Sequence, residues 1–135
     1  HADVRAAYNR WEETRQRSVQ RVTKGSNPWT EHYSAVMAEV PDAADAGTQL
    51  NRQLITSLAG AQRLLVAGEA SSHCVRATVE HLVQHLGGEL SRVWLLRDGM
   101  SPVAGFEAQA QAFLTDMQAR GLRVCSCADA ADALR

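Results

Sequence analysis

No apolar run in this chain approaches the roughly 20 residues that a membrane-spanning helix needs, so a helical span is not expected. Charge of one sign is not in excess either. Fourteen Lys and Arg face fifteen Asp and Glu, for a formal net charge of −1. A balance that close gives no overall pull toward nucleic acid or a membrane. Cysteine is scarce and odd in number, at three residues. With no signal-peptide pattern at the start, that count argues against a disulfide framework and for reduced thiols in the cytoplasm. Repeats and low-complexity tracts are absent as well. What is there, 135 residues of which 45% are hydrophobic, suits one soluble globular domain with a moderate core.

Periodicity predicts alternating helices and strands. Residues 3–17 read as a helix that Asp3 can cap, with Val4, Ala7, Tyr8 and Trp11 as its apolar positions. Arg10, Arg15, Arg17 and Arg21 make its far end basic, as a solvated face at a helix C-terminus would be. "SVQRVTK" (18–24) reads as a weak strand and "GSNP" (25–28) as a turn. Residues 29–40 are ambiguous, with a helical turn that Thr30 can cap, and 41–47 read as a loop. A helix is expected over 48–60, capped by Thr48 and stopped by Gly60. "RLLVAGE" (63–69) and "RVWLLRD" (92–98) read as buried strands of a parallel sheet. Helices are expected over 71–88 and 106–121, with a loop at 99–105. A last strand follows at 122–128, then a final helical turn. Strands that alternate with helices imply a parallel α/β sheet with right-handed crossovers.

Within this pattern "LLVAGEASSHCV" (64–75) is the stretch that carries chemistry. Cys74 falls just beyond the carboxyl end of a strand, in the first turn of a helix. Ligands of open parallel sheets bind at that end. The helix dipole and free N–H groups favour an anion there, and a thiolate nucleophile is an anion. The same amides can hold an oxyanion formed on an attacked carbonyl. The alternative is a small buried core thiol.

"VAGEASSHCV" resembles the nucleophile segment of the isochorismatase-like cysteine hydrolases, the superfamily that includes nicotinamidases. Its pattern there is a strand, Gly-x-Ala, a short spacer, then Cys-Val opening a helix. "VTKGSN" (22–27) is similar to the family's lysine segment. "LLRDGMSPVAGFEAQAQAFLTDMQARGLRV" (95–124) resembles the aspartate turn and helix that follow the nucleophile. "TEHYSAVMAEVPD" and "TQLNRQLI" are similar to a longer-chain, nicotinamidase-related branch. The likeness covers nearly the whole chain, with its motifs in the family's order.

The resemblance implies a three-layer α/β/α, Rossmann-like sheet of strand order 3-2-1-4-5-6. It implies Cys74 as nucleophile and Lys24 as the lysine that favours the thiolate; alone, Lys24 would read as a solvated strand end. It further implies a cis peptide at Glu69–Ala70 and an oxyanion hole built from the Ala70 and Cys74 amides. The implied reaction is hydrolysis of a small amide through a thioester acyl-enzyme. The superfamily's namesake instead cleaves a vinyl ether without needing the cysteine, so the presence of Cys74 favours the amidase side.

One departure matters. The family's catalytic aspartate and its metal ligands precede the lysine, and only 23 residues do so here. Neither Asp3 nor His1 matches them. No metal ligand is therefore expected in this chain, and a divalent, zinc-like metal would take ligands upstream of His1. The first two sheet strands, which belong between the strand ending at Lys24 and the strand ending near Gly68, are also unaccounted for. Their absence would leave a gap of roughly 10–15 Å in the sheet. Residues 1–135 are thus expected to be the C-terminal part of a single domain. That part would associate with the missing N-terminal segment or form a homo-oligomer.

Smaller signals complete the reading. Asn27, Glu31, His32 and His73 are candidates to line the pocket, and His73 either tunes the thiol or faces solvent. His81 and His85, spaced i, i+4, can bind zinc, but exposed polar positions are the plainer reading. Cys125 and Cys127, two apart in a strand, would share one face, with core packing as their role. The rival to an amide hydrolase is a non-catalytic fragment or assembly subunit of the same superfamily.

Overall fold

The computed structural model describes residues 1–135. Five helices and three strands follow in the order α1 (Ala2–Arg15), α2 (Arg52–Ala59), β1 (Leu64–Glu69), α3 (Cys74–His85), β2 (Val93–Ser101), α4 (Glu107–Ala119), β3 (Arg123–Cys125) and α5 (Cys127–Asp132). The strands form one parallel sheet in the order β1-β2-β3. No helix is long and apolar enough to cross a membrane.

The core follows from the sheet's two faces. Val93 and Leu95 of β2 point to the face where α3 and α4 lie. They bury against Val75 and Val79 of α3 and against Phe113 and Met117 of α4. On the opposite face Trp94 buries with Cys125 and with Ala130 of α5. Arg63 and Arg123 stack over its indole at 4.3 and 4.1 Å, contacts of the cation–π type. β2 is therefore buried on both faces. β1 is not, because Leu65, Ala67 and Glu69 on its second face are exposed. This corrects the expectation of a strand covered on both sides. One edge of β1 also lacks a neighbouring strand.

Register breaks once. Val66 pairs with Leu95 and Gly68 with Met100, so β2 gains residues around Gly99. A Cβ at Gly99 would stand 3.2 Å from the Ala67 Cβ and 3.3 Å from the Cys127 Sγ, which explains a residue without one.

Several expected boundaries move for identifiable reasons. Residues 18–24 form no strand. No backbone partner receives their N–H groups, and Val19 donates to the Glu12 carboxylate instead. A ladder needs a second strand. Helix α1 is capped by the His1 side chain rather than by Asp3. Thr48 closes a 3-10 turn, and Asn51, whose side chain accepts the Leu54 N–H, caps α2. Residues 29–40 form no helix. β2 runs on to Ser101, into the loop expected over 99–105. β3 stops at Cys125 because Ser126 opens α5 with a reciprocal capping box to Asp129. Cys125 is thereby buried in the sheet while Cys127 is exposed at the start of a helix, so the two do not share a core face.

Candidate active site

β1 delivers the chain to the site and α3 leads away from it, with the thiol on its first residue. Gly68, at φ 130°, occupies backbone space that side chains rarely adopt. The Glu69–Ala70 peptide bond is cis. The turn then folds on itself. The Ala70 carbonyl accepts the N–H groups of His73 and Val75, at 3.0 and 3.1 Å, and the Ser71 N–H donates to the Ser101 carbonyl of β2 at 2.8 Å. Cys74 begins α3 there, half-buried. The Ala70 and Cys74 amides donate to no protein acceptor, as expected for Cys74 in the first turn of a helix.

Lys24 arrives from a part of the chain without regular structure. Its Nζ lies 3.7 Å from the Cys74 Sγ and 3.2 Å from the His32 carbonyl. The His32 Nδ1 accepts the Gly25 N–H at 3.2 Å, which closes the turn that presents the lysine. Thr78 locks this segment to the helix that Cys74 opens. Its hydroxyl donates to the Cys74 carbonyl at 2.7 Å and accepts the Ala35 N–H at 3.0 Å.

The other candidates separate. Asn27 is turned toward the 42–45 loop, donating to the Asp42 and Asp45 carboxylates at 3.3 and 3.0 Å. Glu31 stands near the Tyr33 phenol. Its charge, and then a hydrogen bond to it, push the Tyr33 pKa above its ordinary value, with the Cys74 sulfur and Glu39 adding to the effect. His73 packs between Tyr33 and Phe106, at ring-centroid distances of 5.9 and 4.8 Å. Glu69 projects from the exposed face of β1.

Sequence reasoning missed Tyr33, Phe106, Ser72 and Thr78. Two adjacent serines at the mouth of a helix were a legible signal for Ser72. Phe106 reads equally well as an ordinary core position of α4, yet it caps that helix at the surface.

No three His, Cys, Asp or Glu side chains lie close enough together to hold a metal ion. The His81 and His85 rings are 6.2 Å apart, but no third such ligand joins them. The His81 Nδ1 is buried without a partner, so His81 is not the exposed polar residue expected. These residues do not fit a zinc-like centre.

Fold and site together define a parallel α/β protein whose helix-borne thiol meets a lysine beyond the carboxyl end of a strand. A solved structure shares this architecture: the pyrazinamidase of Pyrococcus horikoshii in complex with zinc, with a TM-score of 0.54 and 27% identity. The match covers 78% of this chain and 49% of that one, so this chain spans about half the length of the protein it resembles. No protein-family profile and no curated protein matches the sequence. The structural likeness supports the resemblance to isochorismatase-like hydrolases that the motifs carry.

Proposed function

We propose that this chain carries the nucleophile and the lysine of a cysteine-dependent hydrolase acting on a small amide. The observation that carries the reading is the meeting of the Lys24 Nζ and the Cys74 Sγ at 3.7 Å, beside two amides without acceptors. An ammonium at that distance is a charge partner for a thiolate. The thiolate attacks the amide carbonyl carbon, and the carbonyl oxygen, now negative, is held by the Ala70 and Cys74 N–H groups. The C–N bond breaks, the nitrogen leaves with a proton as ammonia or an amine, and a thioester remains on Cys74. Water then attacks the thioester, releasing a carboxylic acid and restoring the thiol.

The thiol proton needs an acceptor. None of the chain's ion pairs involves Lys24, so no carboxylate here stands in the place the family gives its aspartate. That acceptor comes from a segment that associates with residues 1–135, in the same polypeptide or in a second copy. The setting is cytoplasmic, where the thiol stays reduced.

The test is to incubate the protein that bears Cys74 with nicotinamide and simple amides, quench in acid, and map adducts by mass spectrometry while measuring ammonia. A thioester on the Cys74 peptide, absent from Cys74→Ser, is expected. Equal ammonia release from Cys74→Ser would overturn the reading and leave an assembly role as the better one.

A further inference from the structure

We propose that Lys24 and Cys74 form a reversible oxidation site, in which the lysine amine captures the sulfenic acid that hydrogen peroxide makes of the thiol and seals it as a sulfenamide, an S–N cross-link. The inference needs only the thiol and the amine, and it stands apart from the hydrolase reading.

Lys24 is the only lysine among residues 1–135, and the other cationic side chains that carry a permanent charge are all arginines. A guanidinium supplies charge but stays protonated, so its nitrogens are poor nucleophiles. The one side-chain amine stands at the sulfur. Its Nζ lies 3.7 Å from the Cys74 Sγ and donates to the His32 carbonyl at 3.2 Å. Closing that gap to a covalent bond asks only for a small movement of an exposed side chain on a flexible four-carbon stem.

Oxidation should fall on Cys74 first. The thiol is half-buried, and the ammonium beside it favours the thiolate that peroxide attacks. The Ala70 and Cys74 amides, which have no protein acceptor, can hold the oxygen that the sulfur gains. An uncaptured sulfenic acid passes irreversibly to sulfinic and sulfonic acids, and a neighbouring thiol commonly prevents this. No such thiol stands beside Cys74. Cys125 is buried with Trp94 on the other face of the sheet, and the Cys127 amide is tied to the Asp98 carboxylate at the start of α5. The amine takes the thiol's place.

The steps balance. The thiolate sulfur attacks one peroxide oxygen, the O–O bond breaks, and the second oxygen leaves as water, so that sulfur is oxidised by two electrons and peroxide is reduced. Lys24 gives a proton to solvent. The Nζ lone pair then attacks the sulfur, the S–O bond breaks, and hydroxide leaves as water with a second proton from the nitrogen. Two equivalents of an external thiol reverse the bond, restoring the Cys74 thiol and the Lys24 amine and leaving as a disulfide.

The test treats the protein that bears both residues with one equivalent of hydrogen peroxide in mildly alkaline buffer, blocks free thiols, digests it without reductant and maps the peptides by mass spectrometry. A peptide pair joined through Lys24 and Cys74, lighter than its two parts by two hydrogen atoms, is expected, and dithiothreitol should return both parts unmodified. Lys24→Arg keeps the charge and removes the amine. In that variant the pair should vanish, and Cys74 should go on to sulfinic acid that dithiothreitol does not recover. Wild-type protein oxidised in urea should give no pair, because the fold sets the approach. Equal sulfinic acid on Cys74 in wild type and Lys24→Arg, an unmodified Cys74, a disulfide from Cys74 to Cys125 or Cys127, or a pair that retains an oxygen atom overturns the proposal. None of these measurements reads amide hydrolysis, so failure of the hydrolase reading would show in ammonia release and leave them unchanged.

Discussion

The Lys24 Nζ reaches the Cys74 Sγ at 3.7 Å, although 50 residues separate the two in sequence. No strand pairing brings them together, since residues 18–24 make none. The approach is arranged by side chains: the His32 ring closes the lysine turn and Thr78 ties residue 35 to the first turn of α3.

Cys74 and Cys127 should differ in reactivity for reasons of charge rather than exposure. Cys127 is the exposed one, yet a hydrogen bond to the Asp98 carboxylate pushes its pKa up, with burial and the Asp98 charge adding to the effect. A thiol with a raised pKa holds less thiolate at neutral pH. Iodoacetamide at pH 7 should therefore label Cys74 before Cys127, with Cys125 last because it is buried. Preferential labelling of Cys125 or Cys127, read by peptide mapping, would count against Cys74 as nucleophile. Asp98→Asn should move the Cys127 labelling curve to lower pH.

Lys24→Ala should slow alkylation of Cys74 at neutral pH while circular dichroism stays unchanged, because the lysine is exposed and makes no core contact. On the hydrolase reading proposed above, the same change should cut acyl-enzyme formation by about two orders of magnitude, the scale on which a single preorganised donor acts in a transition state. Unchanged labelling and turnover remove Lys24 from the site.

Thr78→Ala leaves the Ala35 N–H and the Cys74 carbonyl each short of a partner. A loss of about 1–2 kcal/mol in unfolding free energy is expected, measured by urea denaturation. Alkylation of Cys74 should become less sensitive to Lys24→Ala in this background, since the lysine segment is no longer anchored.

Acid should weaken the β2–α5 junction. Asp98 is held below its ordinary value chiefly by the Cys127 backbone N–H, and Asp129 chiefly by the Ser126 side chain. Carboxylates with depressed values stabilise the fold above their unfolded value near 3.8, and that stability is lost as pH falls through the folded value. Asp98→Asn and Asp129→Asn should each flatten the fall of melting temperature below about pH 4, followed by differential scanning fluorimetry.

Gly68→Ala forces a Cβ into a φ of 130°. A cost of about 1–3 kcal/mol is expected. Gly99→Ala, crowded by Ala67 and Cys127 at 3.2 and 3.3 Å, should lose stability as well, about 1 kcal/mol from overpacking. Thermal unfolding of the two variants checks both figures.

Local chemistry was legible where it is written in consecutive residues. Gly68 through Cys74 announces a strand end and a helix start, and both are there, with the helix opening at Cys74 rather than at residue 71. The apolar periods of α3 and α4 likewise name the residues that build the core. Distant pairing left weaker traces. β-branched residues at 19, 22 and 23 resemble a strand, but a strand exists only with a partner, and nothing local to 18–24 reports whether one is present. Cys127 went to a helix because the Ser126 capping box outweighs continuation of a three-residue strand. The packing of Tyr33 against His73 could not be read at all. Its position depends on the Glu39 carboxylate, which holds two backbone amides of an irregular stretch.

That irregular stretch has a consequence for redesign. Glu39 grips residues 33 and 34, the Ala38 N–H meets the Thr48 carbonyl, and the Asn51 N–H meets the Val36 carbonyl. Most of its bonds are internal, and Thr78 is an external anchor. The wall opposite His73 is thus a cassette rather than a set of independent positions. Altering that wall calls for grafting residues 31–51 as a block, with Thr78 retained as the docking point, in preference to substituting one wall residue at a time.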